Sequence, residues 1–175
     1  VIRSVRALSA PHTGEFQLVY SIRYRGQTVL EESPLSLLLW DRRPLGSPCR
    51  IYHVARSSVD TVDTVRGTQD TVSIRWNRMT LYLQEQNPPF RLFQAIFIVS
   101  DEGAAFRYHI PAQDSLAMLT LREERTSFHL PSDAVAYHLP LNSFHTSYEE
   151  NYGKKNLGEL DAETLCGLPM LLDTG

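Results

Sequence analysis

Residues 91–111 read RLFQAIFIVSDEGAAFRYHIP, and this stretch decides the fold. It divides into an apolar arm, an acidic turn at Asp101-Glu102-Gly103, and a second arm. In the first arm Phe93, Ala95, Phe97 and Val99 alternate with Leu92, Gln94, Ile96 and Ile98. Period-two alternation gives each set its own strand face, and both sets are largely apolar. The arm is therefore expected between two packed layers. Gly103 is expected to supply a positive φ at the turn. The second arm sets Phe106, Tyr108 and Ile110 against Arg107 and His109, which puts Arg107 on a strand.

Strand signals extend outward in both directions. Upstream, Phe16, Leu18, Tyr20, Ile22 and Tyr24 share one face, opposite Gln17, Ser21 and Arg23. Strands are expected at 2–8, 15–24, 27–32 and 35–40, with Arg25-Gly26 as a hairpin turn and Pro34 as a break. Pro44, Gly46 and Pro48 mark 41–49 as a loop. A strand follows at 50–59, and the Thr- and Val-rich 60–70 reads as an extended excursion. Strands at 71–76 and 79–84 are expected to pair around Asn77-Arg78. Downstream, strands are expected at 117–122, 126–130 and 134–139, with Glu123 and Glu124 between the first two. After Pro140 the alternation fades. Residues 158–164 have room for one helical turn, and 168–172 open a strand that stops at Asp173-Thr174-Gly175. No partner follows it, so the chain is expected to be cut inside a domain. Many short strands without a convincing long helix indicate an all-β sandwich of antiparallel sheets.

A chain of 175 residues fits one domain. Such a chain buries roughly 70% of its unfolded surface. Its 42% hydrophobic and 21% charged residues are ordinary for a globular protein. Net charge is −3 and no basic block exceeds a pair, which argues against a nucleic-acid partner. The 17 basic residues include only the lysines at 154 and 155, so arginine dominates. No apolar run of about 20 residues is present, so no membrane span is expected. No signal peptide is expected within 1–175, and a mature chain starting at Val1 would have lost one. Cys49 and Cys166 show no CxxC spacing, which makes a structural zinc site improbable. They are either a long-loop disulfide or two unrelated buried thiols, the second being the preferred reading.

The candidate carboxylate pairs are Asp101-Glu102, Glu123-Glu124 and Glu149-Glu150. Adjacent strand residues point to opposite faces, so none makes an acid–base pair by itself. The six histidines, His12, His53, His109, His129, His138 and His145, show no compact ligand spacing. Arg107 is a candidate clamp for a carboxylate, from Glu124 or from a partner domain, or else a structural salt bridge. Trp40, Trp76, Tyr82 and Tyr108 are candidates for stacking on sugars, though alternate aromatics usually belong to the core.

Several motifs together carry a resemblance. They are Tyr24-Arg25-Gly26-Gln27 with Glu31-Glu32-Ser33-Pro34-Leu35, then the 58–67 excursion and Asn77 before the strand 79–83. Next come Asp101-Glu102-Gly103-Ala104-Ala105-Phe106-Arg107-Tyr108, Glu124-Arg125-Thr126-Ser127-Phe128, and Tyr148-Glu149-Glu150-Asn151-Tyr152. In this order they resemble the N-terminal domain of glycoside hydrolase family 97, the bacterial α-glucosidase and α-galactosidase family.

The resemblance implies a galactose-mutarotase-like super-sandwich, one N-terminal domain over 1–175, incomplete at its C-terminus. A catalytic (β/α)8 barrel is expected downstream, carrying the catalytic carboxylates. This chain would then have no catalytic residue and no metal ligand of its own. It would buttress the barrel and shape the sugar cleft, with Arg107, Tyr148, Glu149 and Tyr152 facing the barrel or the cleft. Family members bind calcium, and the one glutamate ligand from this domain is expected beyond Gly175. A periplasmic or secreted bacterial location follows from the same resemblance. Two other readings are a free-standing carbohydrate-binding sandwich and an aldose-epimerase-like enzyme, the latter needing two histidines and a carboxylate around one sugar.

Overall fold

The computed structural model describes residues 2–5, 8–11, 16–41, 44–64, 71–114, 116, 118–131 and 133–174. Its elements are antiparallel strands and one short 3₁₀ turn. The chain forms two compact units, Val1–Phe128 and His129–Gly175.

In the first unit one layer is built around β3 (Phe16–Tyr24). Both β1 (Ile2–Val5) and β2 (Leu8–Pro11) pair with it, as does β4 (Gln27–Pro34). The single strand expected at 2–8 is thus two strands, each on its own stretch of β3. Arg25 and Gly26 have φ of 50° and 90°, the double positive φ that fits a tight hairpin to strand twist. Pro34 does not break β4; it is the last residue and pairs with Val19. At a strand's end its missing N–H removes no central ladder bond. The layer continues through β5 (Leu37–Leu39), all buried, paired with β10 (Leu121–Glu124). Glu123 and Glu124 therefore lie in a strand. Residues 126–130 do not form the expected strand, but Arg125 N donates to Ser36 O (2.8 Å) and Ser127 N to Pro34 O (3.1 Å).

The second layer is the meander β6 (Cys49–Thr64), β7 (Thr71–Glu85), β8 (Leu92–Val99) and β9 (Ala104–His109). The decisive hairpin is β8–β9, as the alternation predicts. Phe93, Ala95 and Phe97 are fully buried on one face of β8, and Ile96 is buried on the other. Asn77-Arg78 is not a turn. Asn77 pairs with both Ser58 and Val99, so ladders on both sides hold β7 straight through it. The expected excursion is strand as far as Thr64, and 65–70 lie outside the described residues.

The two layers meet at Tyr20, which is 1% exposed. Its ring lies 5.4 Å from Phe106, 6.2 Å from Phe128 and 6.3 Å from Phe97, and its hydroxyl donates to Ser127 O at 3.0 Å. Tyr108 reaches Thr126 Oγ1 at 2.8 Å. Burial pushes the Tyr20 and Tyr108 phenols up to about 12, and burial with nearby Glu85 pushes the Cys49 thiol up to about 11. These groups hold their protons in the folded chain after the unfolded chain has released them. Stability is therefore expected to be flat with respect to them below pH 9 and to fall from about pH 9 to 12. Urea midpoints measured at pH 8, 9.5 and 11 check this; a midpoint that rises over that range refutes it.

Gly103 departs from expectation. Its φ is outside the left-handed region, and a Cβ there would meet nothing within 4 Å. The turn is held instead by Ser100, whose N donates to Gly103 O at 2.8 Å and whose Oγ accepts from the Glu102 and Gly103 amides at 3.1 Å each. Gly103→Ala is therefore expected to stabilise by about 0.4–1 kcal/mol, through loss of unfolded-state freedom. A urea midpoint lower than that of the parent chain contradicts this account.

In the second unit β11 (Val135–Pro140) lies between β12 (Gly153–Asn156) and β13 (Cys166–Asp173). The terminal strand β13 pairs with the earlier β11. The pattern around β12 is obscured by Lys154 and Lys155, which suit an exposed edge. Between the two edges, Ala136 and Leu139 are buried, and so is His138, beside which Gly153 leaves room for the imidazole. The expected helical turn is the 3₁₀ segment η1 (Leu157–Glu159).

Candidate functional site

The sequence reading missed a buried polar clasp in the first unit. Glu85 ends β7, and Arg91 stands just before β8, across the loop containing Pro88 and Pro89. Their side chains are each 6% exposed. Glu85 Oε2 accepts from Arg91 Nε at 2.7 Å and from the Arg91 amide at 3.2 Å. Oε1 accepts from Arg91 Nη2 at 2.8 Å and from the Gly46 amide at 3.2 Å. A cleft of about 470 Å³ lies alongside, lined by Pro44, Ser47, Glu85, Asn87, Pro88 and Arg91. Both carboxylate oxygens are engaged within the chain, so Glu85 serves to pin the loop and not to transfer a proton. The available signal was an acidic residue and an arginine at the two mouths of one hairpin loop.

The face of the meander opposite Phe93, Ala95 and Phe97 is the second candidate, although Ile96 and Thr80 at its centre are buried. The register aligns His53, Tyr82, Gln94 and His109 in one row across four strands. The next row is Ala55, Thr80, Ile96 and Arg107, and the next Ser57, Arg78, Ile98 and Ala105. A register shift between Ile51 and His53 brings Tyr52 beside Tyr82 as well. The Tyr82 ring lies 6.1 Å from Tyr52 and 5.2 Å from His53. Three strand spacings separate His53 from His109, about 14 Å. That is too far for both to serve one sugar ring as an epimerase pair would.

The residues singled out in the sequence are distributed as follows. Arg107 is exposed on β9 and makes no ion pair with Glu124 or another carboxylate among the described residues. In the second unit Tyr148 has φ of 61°, its ring lies against Gly167 of β13, and it is half exposed. Phe144, Glu149 and Tyr152 are exposed nearby in the chain, and Leu168 and Leu171 are exposed on β13. Asp101 and Glu102 sit in the Ser100 turn, while Glu123 bonds Arg125 at 2.9 Å. Trp40 is exposed, and Tyr108 faces the core. His12 lies outside the described residues. Cys49 and Cys166 are free thiols.

A family model described as glycosyl-hydrolase 97 N-terminal matches residues 5–175. The chain belongs to this family. Family 97 membership agrees with the antiparallel strand content and with solved structures. A family 97 enzyme from Pseudoalteromonas sp. strain K8, solved as an E480Q variant with panose, superposes with TM-score 0.75 at 23% identity. That match covers 91% of this chain and 23% of the enzyme. A β-arabinopyranosidase structure gives TM-score 0.73 at 28% identity, covering 85% of this chain and 24% of that one. In sequence, the retaining α-galactosidase of Bacteroides thetaiotaomicron is 24% identical over 170 residues, which is 91% of this chain and 24% of the enzyme. The family 97 chain described here thus spans about a quarter of the length of these relatives.

Proposed function

We propose that this chain is the non-catalytic N-terminal sandwich of a glycoside hydrolase acting on α-glucosides or α-galactosides. It buttresses a catalytic barrel supplied by the rest of the polypeptide and shapes one wall of the sugar cleft. The observation that carries the reading is the family match over 5–175 in a chain one quarter the length of enzymes that it resembles. The chemistry of the described residues supports it. Hydrolysis of a glycosidic bond needs two carboxyl groups set about 5–9.5 Å apart across the bond. Here the neighbouring acids lie in a turn, on a strand edge paired with arginine, or in an exposed segment. Phe144, Tyr152, Leu168 and Leu171 offer apolar surface in the second unit for the barrel to cover.

No three His, Cys, Asp or Glu side chains converge to hold a metal ion among the described residues. In this reading calcium belongs to the complete enzyme, and the one glutamate ligand from this domain lies beyond Gly175. No described helix is long and apolar enough to cross a membrane. A periplasmic or secreted location is part of the same proposal.

The test is hydrolysis of p-nitrophenyl α-glucoside and α-galactoside. The 175-residue chain alone is expected to release no nitrophenol, and a polypeptide joining it to a barrel is expected to cleave one of the two. Turnover by the chain alone overturns the assignment.

A further inference from the structure

We infer that β6 is a docking edge for a second copy of this chain, the two β6 strands pairing antiparallel about a two-fold axis at Ser58. This goes beyond the buttress reading, whose apolar surface lies in the second unit, and does not depend on it. The first support is the edge itself. β6 is 16 residues long, against a mean strand of about 5–6. Among the described residues it pairs on one side only, with β7. That ladder runs unbroken from His53 to Thr64, and no proline, lysine or bulge interrupts the stretch. Those are the devices that keep natural edges from pairing further. Residues 56–58 and 60–64 are exposed, so no described residue covers the outer N–H and C=O groups there.

The second support is self-complementarity. A two-fold axis normal to the sheet keeps the same face of both copies upward. Directly opposed residues must then come from one face, so their numbers add to an even sum. Centring the pair on Arg56 or on Asp60 sets like charges against each other. Centring it on Ser57 or on Val59 opposes no charged pair. Centring it on Ser58 sets Arg56 opposite Asp60 and His53 opposite Asp63, each twice by symmetry, with no like charges opposed. The same register sets Val54 against Val62, which is 66% exposed in the single chain.

The opposed groups are able to accept these partners. Arg56 is exposed and makes no ion pair among the described residues. Arg75 holds Asp60 through Oδ2, from Nε and Nη2 at 3.0 Å each, so Arg56 of the second copy would meet the Oδ1 side. Exposed ion pairs add little affinity but fix the register, while the backbone ladder supplies the attraction. An unrelated strand has no reason to carry this pattern, whereas a second copy carries it by its own sequence.

Sedimentation equilibrium of the 175-residue chain across the micromolar range, with each chain shown folded by circular dichroism, tests this. A dimer is expected, and Arg56→Asp, at an exposed position outside the core, is expected to weaken it at least tenfold. Ser58→Cys in a Cys166→Ser background reads the register, Cys49 being buried. Directly opposed residues of antiparallel strands have Cα atoms about 4.5–5.5 Å apart, within disulfide range. Oxidation with diamide is therefore expected to join two Ser58→Cys chains. Thr61→Cys chains should not join, because their thiols would sit about 20 Å apart along the strands. A monomer at every concentration overturns the proposal. So does a dimer unmoved by Arg56→Asp, or one in which Thr61→Cys cross-links as well as Ser58→Cys. A barrel-bearing polypeptide that stays monomeric and shields the Ser58→Cys thiol from maleimide assigns the edge to the barrel and also overturns it.

Discussion

Glu85→Ala is expected to lower the unfolding free energy by about 3–5 kcal/mol, the range for stranding one member of a buried ion pair. Arg91 would keep its charge at 5% exposure with no carboxylate to meet it. The Gly46 amide would lose its acceptor at the same time. Domains hold only about 5–15 kcal/mol in total, so this one residue controls a large share. The effect should show as a lower urea midpoint with an unchanged slope. The clasp's worth lies mainly in its completeness. Glu85→Leu combined with Arg91→Met removes both charges and is expected to be far closer to the parent chain than Glu85→Ala alone. A Glu85→Ala loss below about 1 kcal/mol, the range of exposed pairs, would show that the clasp is not sealed from water.

Gly46→Ala is expected to destabilise by about 2–4 kcal/mol, from two independent sources. Gly46 has φ of 80°, where a side chain crowds its own carbonyl. A Cβ there would also press into the ring of Phe93, a core residue at 3% exposure. Phe93 cannot give way without disturbing the packed face of β8. In a Phe93→Leu background the ring contact is relieved but not the backbone strain, so Gly46→Ala should cost less there than in the parent chain without becoming neutral. Because the Gly46 amide bonds Glu85, Gly46→Ala and Glu85→Ala should not add; their combined loss should fall short of the sum. Thermal unfolding of the two single variants and the double variant measures this directly, and strict additivity would separate the loop from the clasp.

Much of the fold was legible because alternation is local. Phe16 to Tyr24 and Leu92 to Val99 announce their faces residue by residue, and Arg25-Gly26 announces its turn. Errors arose where a neighbouring strand overrode a local signal. Asn77-Arg78 has turn-like composition, yet ladders on both sides hold it extended. Gly103 suggested positive φ, while Ser100 two residues before Glu102 supplied the turn by side-chain bonding. For candidate sites the limit was different. Arg107 on a strand was readable, but its row with Thr80 and Ile96 depends on the register of three strands. No local pattern marks Glu85 and Arg91 as partners; only the closed loop between them brings the two side chains together.

Residues 59–64 and 71–76 pair with each other and, among the described residues, with nothing else, whereas 77–84 are flanked by both β6 and β8. A lone two-stranded ribbon is marginal in water. Breathing motions should therefore begin in this paired ribbon and travel toward the sheet. Deuterium uptake would trace a gradient along β7, fast at Ile74 and slow at Leu81, so a single strand spans both the loosest and the firmest parts of the meander.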